Sequence, residues 1–214
     1  MFMFEEKRKR LVGLLKREGR IKSKSVEEAF LKIPRENFVP ESVKHFAYAD
    51  TPLEIGTGQT ISAPHMVAIM CEALDIKENQ KILEIGAGSG YHSAIVSQLV
   101  GKNGQVYTVE RFSNLAEFAK NNLKKTKIEN VIVKVGDGSL GLKQYSPYDR
   151  IYVTCAAPDI PQPLIDQLID GGKLLIPVGR MFSKLISIEK EKGKIKERDL
   201  GGCSFVPLIG KYGF

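Results

Sequence analysis

The segment Lys81-Ile82-Leu83-Glu84-Ile85-Gly86-Ala87-Gly88-Ser89-Gly90 restricts the fold of this chain more than any other. Residues 81–85 are apolar enough for a buried strand, three glycines follow within five positions, and residues 89–100 read as an apolar helix ended by Gly101. Strand, glycine loop and helix, in that order, set the carboxyl end of a parallel strand against a helix N-terminus, where α/β proteins bind small molecules. The alternation continues, with strands at 105–110, 130–135, 148–154 and 172–178 and helices at 113–124 and 161–168. That spacing predicts an α/β fold, a doubly wound and mostly parallel sheet with helices on both faces. Residues 184–189, a turn at 190–193 and residues 194–205 read as antiparallel strands at one edge.

The first 75 residues differ. Phe4, Leu11, Leu14 and Leu15 repeat at helical spacing up to Gly19, predicting an N-terminal amphipathic helix. Ser25-Val26-Glu27-Glu28 reads as the capping box of a second helix stopped by Pro34. Residues 34–66 carry four prolines and the pair Gly56/Gly58, so they read as largely irregular. A loop of that length holding Phe38, Phe46, Tyr48 and Ile55 is expected to be ordered and functional. A helix at about 64–74 opens with Pro64 in its first turn.

Composition excludes several classes. No stretch approaches eighteen consecutive apolar residues, so no membrane span is expected. The N-terminal charges lie on the wrong side of the short apolar stretch at residues 1–4 for a signal peptide, which makes a cytoplasmic address the default. Three separated cysteines and three histidines without ligand spacing predict neither disulfide nor metal. Residues 1–24 hold nine basic residues against three acids, which is +6 of the formal +7. Such a segment is either a surface for an acidic partner or a solvated helix face; no aromatics alternate with the charges as in single-strand stacking platforms, so nucleic acid is not expected as a partner.

The loop Gly86-x-Gly88-x-Gly90 differs from the dinucleotide pattern, whose third glycine position holds Tyr91 here. Glu84, just before the loop, would repel a pyrophosphate and suits an ammonium group instead. S-adenosylmethionine has an ammonium, a carboxylate and no phosphate. The glycines Gly86, Gly88 and Gly90 permit close backbone approach, and the helix start at Ser89 suits the carboxylate. Glu110, ending the next strand with Arg111 after it, stands where both ribose hydroxyls can be accepted. Asp137 of Gly136-Asp137-Gly138 can accept from the adenine amino group. Together these features resemble the class I methyltransferases and their Rossmann-like sheet.

Within that class the chain resembles the protein-L-isoaspartate O-methyltransferases. The resemblance is carried by Gly58-Gln59-Thr60-Ile61-Ser62-Ala63-Pro64-His65-Met66, by Ala49-Asp50-Thr51-Pro52-Leu53, by Leu83 to Tyr91, by Ala156-Ala157-Pro158 and by Phe205-Val206-Pro207-Leu208. It runs from about residue 20 onward and leaves out the basic N-terminus. Val67 stands where many members have a second histidine. The resemblance implies methylation of the free α-carboxylate of L-isoaspartyl residues in damaged proteins and peptides, with S-adenosylhomocysteine as the other product. The ester then closes to a succinimide, which hydrolyses in part to aspartate. It also implies Ser62 as the active-site residue, with Gln59, Thr60, Ile61 and Ser62 covering the cofactor. Asp50 and His65 are candidates on the acceptor side, although no acid pairs with His65 in the sequence. From the residues alone, Ser62 and Thr60 serve equally well as caps of the helix near Pro64, and Cys155 reads as a buried strand-end thiol. On this reading residues 1–75 are N-terminal helices and an acceptor-side loop packed on a cofactor-binding core at 76–214, together one compact domain.

Overall fold

The computed structural model describes residues 2–180 and 182–214; Met1, part of the N-terminal apolar stretch considered above, and Met181 lie outside the described residues. The order of elements is α1 (Phe2–Arg17), α2 (Lys24–Lys32), β1 (Leu53–Gly56), β2 (Gln59–Ile61), α3 (Pro64–Leu74), β3 (Lys81–Ile85), α4 (Tyr91–Val100), β4 (Gln105–Glu110), α5 (Ser113–Lys125), β5 (Val131–Val135), β6 (Tyr148–Val153), α6 (Gln162–Asp166), β7 (Leu168–Val178), β8 (Ser183–Glu191) and β9 (Lys194–Cys203). Short 3-10 helices lie at Arg35–Asn37, Glu41–Phe46, Gly138–Leu140 and Lys143–Tyr145.

Seven strands form the main sheet in the order β5-β4-β3-β6-β7-β8-β9. Pairing is parallel from β5 to β7 and antiparallel across β7, β8 and β9. This is the doubly wound, mostly parallel sheet with an antiparallel edge that the alternation predicts. After β5 the chain crosses to the other side of β3 to lay down β6. The carboxyl ends of β3 and β6 therefore diverge around a crevice, the switch point at which such sheets bind ligands.

Alternation along the strands builds a core on each face. Leu83 and Ile85 of β3 point into one cluster with Val109, Ile151, Ile176 and Leu164 of α6. Ile82 points into the other with Leu15, Phe30, Leu74, Ile95 and Leu123 of α1 to α5. Glu84 shares the Ile82 side and is fully buried there.

Three local readings are corrected. Ser23, not Ser25, caps α2: its hydroxyl accepts from Val26 N–H at 3.3 Å, while Ser25 Oγ donates to Ser23 Oγ. Glu72 of α3 fixes this start by accepting from the N–H groups of Lys22 and Ser23, each at 2.8 Å. α4 starts at Tyr91 rather than at 89, because Gly90 holds a left-handed φ of 83°. The stretch 34–66 is not mainly irregular: β1 and β2 pair antiparallel, Leu53 with Ile61 and Glu54 with Thr60, around a turn of Gly56, Thr57 and Gly58 at positive φ. At the far sheet edge β9 is exposed over nearly its whole length, with Lys194, Lys196, Glu197, Arg198 and Asp199 in sequence. No helix among the described residues is long and apolar enough to cross a membrane.

Candidate active site

A cavity of about 370 Å³ opens at the β3/β6 switch point, within the ~300–1,000 Å³ typical of small-molecule sites. Its floor is the glycine loop. Gly86 has φ 96°, and a Cβ there would overlap Thr154 Oγ1. The Thr154 hydroxyl lies 2.7 Å from the Gly86 carbonyl and 3.0 Å from that of Ile85, so the end of β6 staples the loop to the end of β3. Gly88 N–H donates to Glu110 Oε2 at 2.9 Å, and Phe112 N–H donates to Glu110 Oε1 at 3.0 Å. Glu110 therefore orders the glycine loop as well as lining the cavity. The last segment of the chain, Val206 to Ile209, forms a wall.

The roof is the β1–β2 hairpin. Gln59, Thr60, Ile61 and Ser62 line the same cavity as Glu84, Gly86, Gly88, Ser89, Glu110, Arg111 and Gly138. Ile55 Cδ1 of β1 stands 3.3 Å from where a Gly88 Cβ would sit, so roof and floor touch. Asn114 Nδ2 donates to Thr57 Oγ1 at 2.9 Å and ties the hairpin tip to α5.

Four candidates lie outside the lining. Gly90 packs on Ala119 of α5. Asp137 Oδ1 accepts from Ser139 N–H and Oγ, and its Oδ2 accepts from Lys211 N–H at 2.8 Å. Burial works against the ionised carboxyl, and these hydrogen bonds outweigh it, holding the Asp137 pKa below the usual value. Asp137 thus fixes the terminal segment that walls the cavity. Asp50 and His65 meet each other: Asp50 Oδ1 accepts from His65 N–H at 2.8 Å and lies 3.0 Å from His65 Nδ1. His65 does have a paired acid, fifteen residues upstream. Asp50 also performs the capping considered for Ser62 and Thr60, since α3 has Ala63 at its N-cap position and no side-chain cap. The Ser62 hydroxyl has no hydrogen-bond partner among the described residues, and it lines the cavity.

Sequence reasoning missed Arg35. It is wholly buried, its Nη2 donates to the Ser62 carbonyl at 2.8 Å, and its guanidinium lies 4.8 Å from the ring centroid of Tyr91. Tyr91, the residue that broke the dinucleotide pattern, is packed edge-on by Phe30 and Phe38 and serves as the platform for that cation. Nε and Nη1 of Arg35 have no hydrogen-bond partner among the described residues, and burial lowers its pKa. A Pro-Arg-Glu turn gives no sign of any of this.

Beneath the loop, both Glu84 oxygens, Thr108 Oγ1 and Tyr152 OH are buried and make no well-formed hydrogen bond among the described residues. Burial pushes the Glu84 pKa up to about 8; the nearby hydroxyls of Thr108, Tyr152 and Ser93 offset this only in part, and Glu110 adds to it. The Cys155 thiol is also pushed up by burial, which removes it as a nucleophile. A glycine floor, an uncapped helix start and an unpartnered buried carboxylate fit a ligand that combines carboxylate and ammonium.

The family model for protein-L-isoaspartate(D-aspartate) O-methyltransferase matches residues 6–213, so the match begins in the basic N-terminal helix and not near residue 20 as the motifs alone indicate. The chain belongs to this family. A protein-L-isoaspartate O-methyltransferase of Methanopyrus kandleri is 56% identical over 99% of this chain and 95% of its own length. One of Pyrococcus horikoshii is 52% identical over 98% and 96%. A solved protein-L-isoaspartate O-methyltransferase superposes with a TM-score of 0.90 at 32% identity, covering 96% of this chain and 67% of that one. A Plasmodium falciparum structure of the same family, determined with S-adenosyl-L-homocysteine, superposes with a TM-score of 0.85 at 30% identity, covering 94% and 98%. This isoaspartate O-methyltransferase is therefore an S-adenosylmethionine-dependent enzyme of protein repair, with the Rossmann-like fold of class I methyltransferases.

Proposed function

We propose that the cavity and its hairpin roof form one site, in which the α-carboxylate of an isoaspartyl residue in a damaged protein or peptide is held by the Ser62 hydroxyl. The observation that carries this is a hydroxyl without a hydrogen-bond partner among the described residues, on the wall shared by roof and cofactor cavity. Bound S-adenosylmethionine supplies an electrophilic methyl group. The chain's own residues bind and align. Glu84 faces the ammonium, the uncapped first turn of α4 beside Ser89 the carboxylate, and Glu110 with Arg111 the ribose. Gly138 lies on the adenine side, with Asp137 accepting the amino group on its remaining lone pairs. Gln59, Thr60 and Ile61 exclude water from above.

No general base is required, because a carboxylate with a pKa near ~4 is ionised at neutral pH. Ser62 donates a hydrogen bond that orients the acceptor oxygen without neutralising it, and the closed roof removes part of its hydration. The His65–Asp50 pair fixes the start of α3 and so the exit of the Ser62 segment.

Labelled methyl from S-adenosylmethionine is expected on an isoaspartyl peptide and not on its aspartyl twin, as an ester lost in mild alkali. Equal labelling of both peptides would refute this reading. Ser62→Ala is expected to lower kcat by about 10²-fold with little change in cofactor affinity; equal losses would make Ser62 a cofactor ligand instead.

Glu84 provides a second test. Its folded pKa, about 8, lies above the ordinary 4.5. Its contribution to stability is therefore fully present below about 4.5 and is lost as the pH rises through 8. A cation placed beside it favours the ionised form. Calorimetry of S-adenosylhomocysteine binding near pH 7, in buffers of different ionisation enthalpy, should show release of close to one proton. Glu84→Gln should abolish the release and flatten the loss of thermal stability between about pH 4.5 and 8. Release of no proton by the native enzyme would contradict the assignment.

A further inference from the structure

A second groove, of about 430 Å³, runs between α1 and the turn Glu41–Phe46. Its floor is apolar, with Leu14 and the exposed ring of Phe46, and Lys7, Arg10 and Arg17 project along its α1 side. These three lie on one face of the helix, at positions i, i+3 and i+10. Other α1 cations are satisfied within the chain: Lys9 pairs with Glu5 at 2.8 Å, Lys16 with Glu27 at 2.7 Å, and Arg8 donates to the Lys32 carbonyl. Among the described residues, Lys7, Arg10 and Arg17 meet no carboxylate within 4.0 Å. The +6 of residues 1–24 is thus partly neutralised on the rest of the helix and left open over the groove.

The groove reaches the acceptor side of the active site through Asp50, which lines it and holds His65, three residues from Ser62. From Lys7 to Arg17 the helix rises about 15 Å, the length of roughly four or five residues of extended peptide. The family acts on polypeptides, so the chain on at least one side of the isoaspartyl residue must leave the acceptor site across neighbouring surface.

We propose that this groove is the docking track for the polypeptide flanking the isoaspartyl residue, and that Lys7, Arg10 and Arg17 select substrates with acidic flanking side chains. The proposal rests on the methyltransferase reading above. A peptide suits the groove better than nucleic acid, since its apolar floor of Leu11, Leu14 and Phe46 accepts side chains.

The test uses isoaspartyl peptides with paired glutamates, paired lysines or neutral residues on either side. They are assayed at low ionic strength with the native enzyme and with Lys7→Ala/Arg10→Ala/Arg17→Ala, whose helicity and melting are checked first. The native enzyme should favour acidic over basic flanks by about tenfold in kcat/KM, mainly through KM, and should lose the preference in high salt. The triple variant should show almost no preference and an unchanged kcat on the neutral peptide. Equal preferences in the two proteins would overturn the proposal. So would competition by single-stranded RNA that disappears in the triple variant while peptide flanks make no difference. Absence of transfer to every isoaspartyl peptide would overturn the enzymatic reading and the groove with it, whereas intact transfer with no flank preference overturns the groove alone.

Discussion

Arg35→Met should leave the protein folded and remove most of its turnover. The substitution takes away the donor to the Ser62 carbonyl, a loss of about 1 kcal/mol. It also takes away a buried guanidinium whose Nε and Nη1 have no hydrogen-bond partner among the described residues. Replacing such a charge with an apolar group of similar volume is often neutral or stabilising, so the melting temperature should move by only a few degrees. The Ser62 peptide, however, is no longer held in one orientation, and displacement of a positioning group by ~1 Å can cost about 10²-fold in rate. The expected pattern is a kcat lower by about that factor with cofactor affinity and peptide KM nearly unchanged. In a Ser62→Ala background Arg35→Met should add little, because both act through one hydroxyl. Multiplicative losses would show that Arg35 is structural and does not position Ser62.

Gly86→Ala should be the most damaging single change to the cofactor site. At φ 96° an L side chain is strained, and the new Cβ would overlap the Thr154 hydroxyl that holds the carbonyls of Ile85 and Gly86. Backbone strain and overpacking together cost about 4 kcal/mol, a fall of roughly 10 °C in melting temperature for a chain of this size. Affinity for S-adenosylhomocysteine should drop at least ~100-fold, since the loop must move from the end of β3. Adding Thr154→Ala should restore part of the stability. Gly58→Ala is the control: it has positive φ, but nothing lies within 4 Å of its Cβ, so only the strain of about 1 kcal/mol applies. Native-like cofactor binding by Gly86→Ala would show that the loop does not form the floor of the site.

Features that rest on local pattern were readable in the chain, and features set by distant partners were not. The apolar run of β3 and the glycines after it indicate strand, loop and ligand because each signal lies within ten residues. The start of α2 was misread because Ser23 and Ser25 are both good caps, and the choice is made by Glu72, about fifty residues away. The hairpin was hidden because β1 and β2 are four and three residues long, too short to show alternation, and two glycines with a polar turn look like loop. The run of Gly58 to Met66 carries the family resemblance, yet nothing in it reveals that its shape depends on a buried Arg35 or that Asp50 caps α3 from upstream.

The exposed strand β9 has a consequence for an enzyme that handles damaged chains. The family acts on isoaspartyl proteins, and an open sheet edge is a template on which loose segments add as extra strands. Here the edge carries Lys194, Lys196, Glu197, Arg198 and Asp199 and then Gly201 and Gly202, charged and weakly strand-forming. Charges of both signs along such an edge discourage register with an incoming strand. Such an edge is a poor template for a loose segment of a substrate chain.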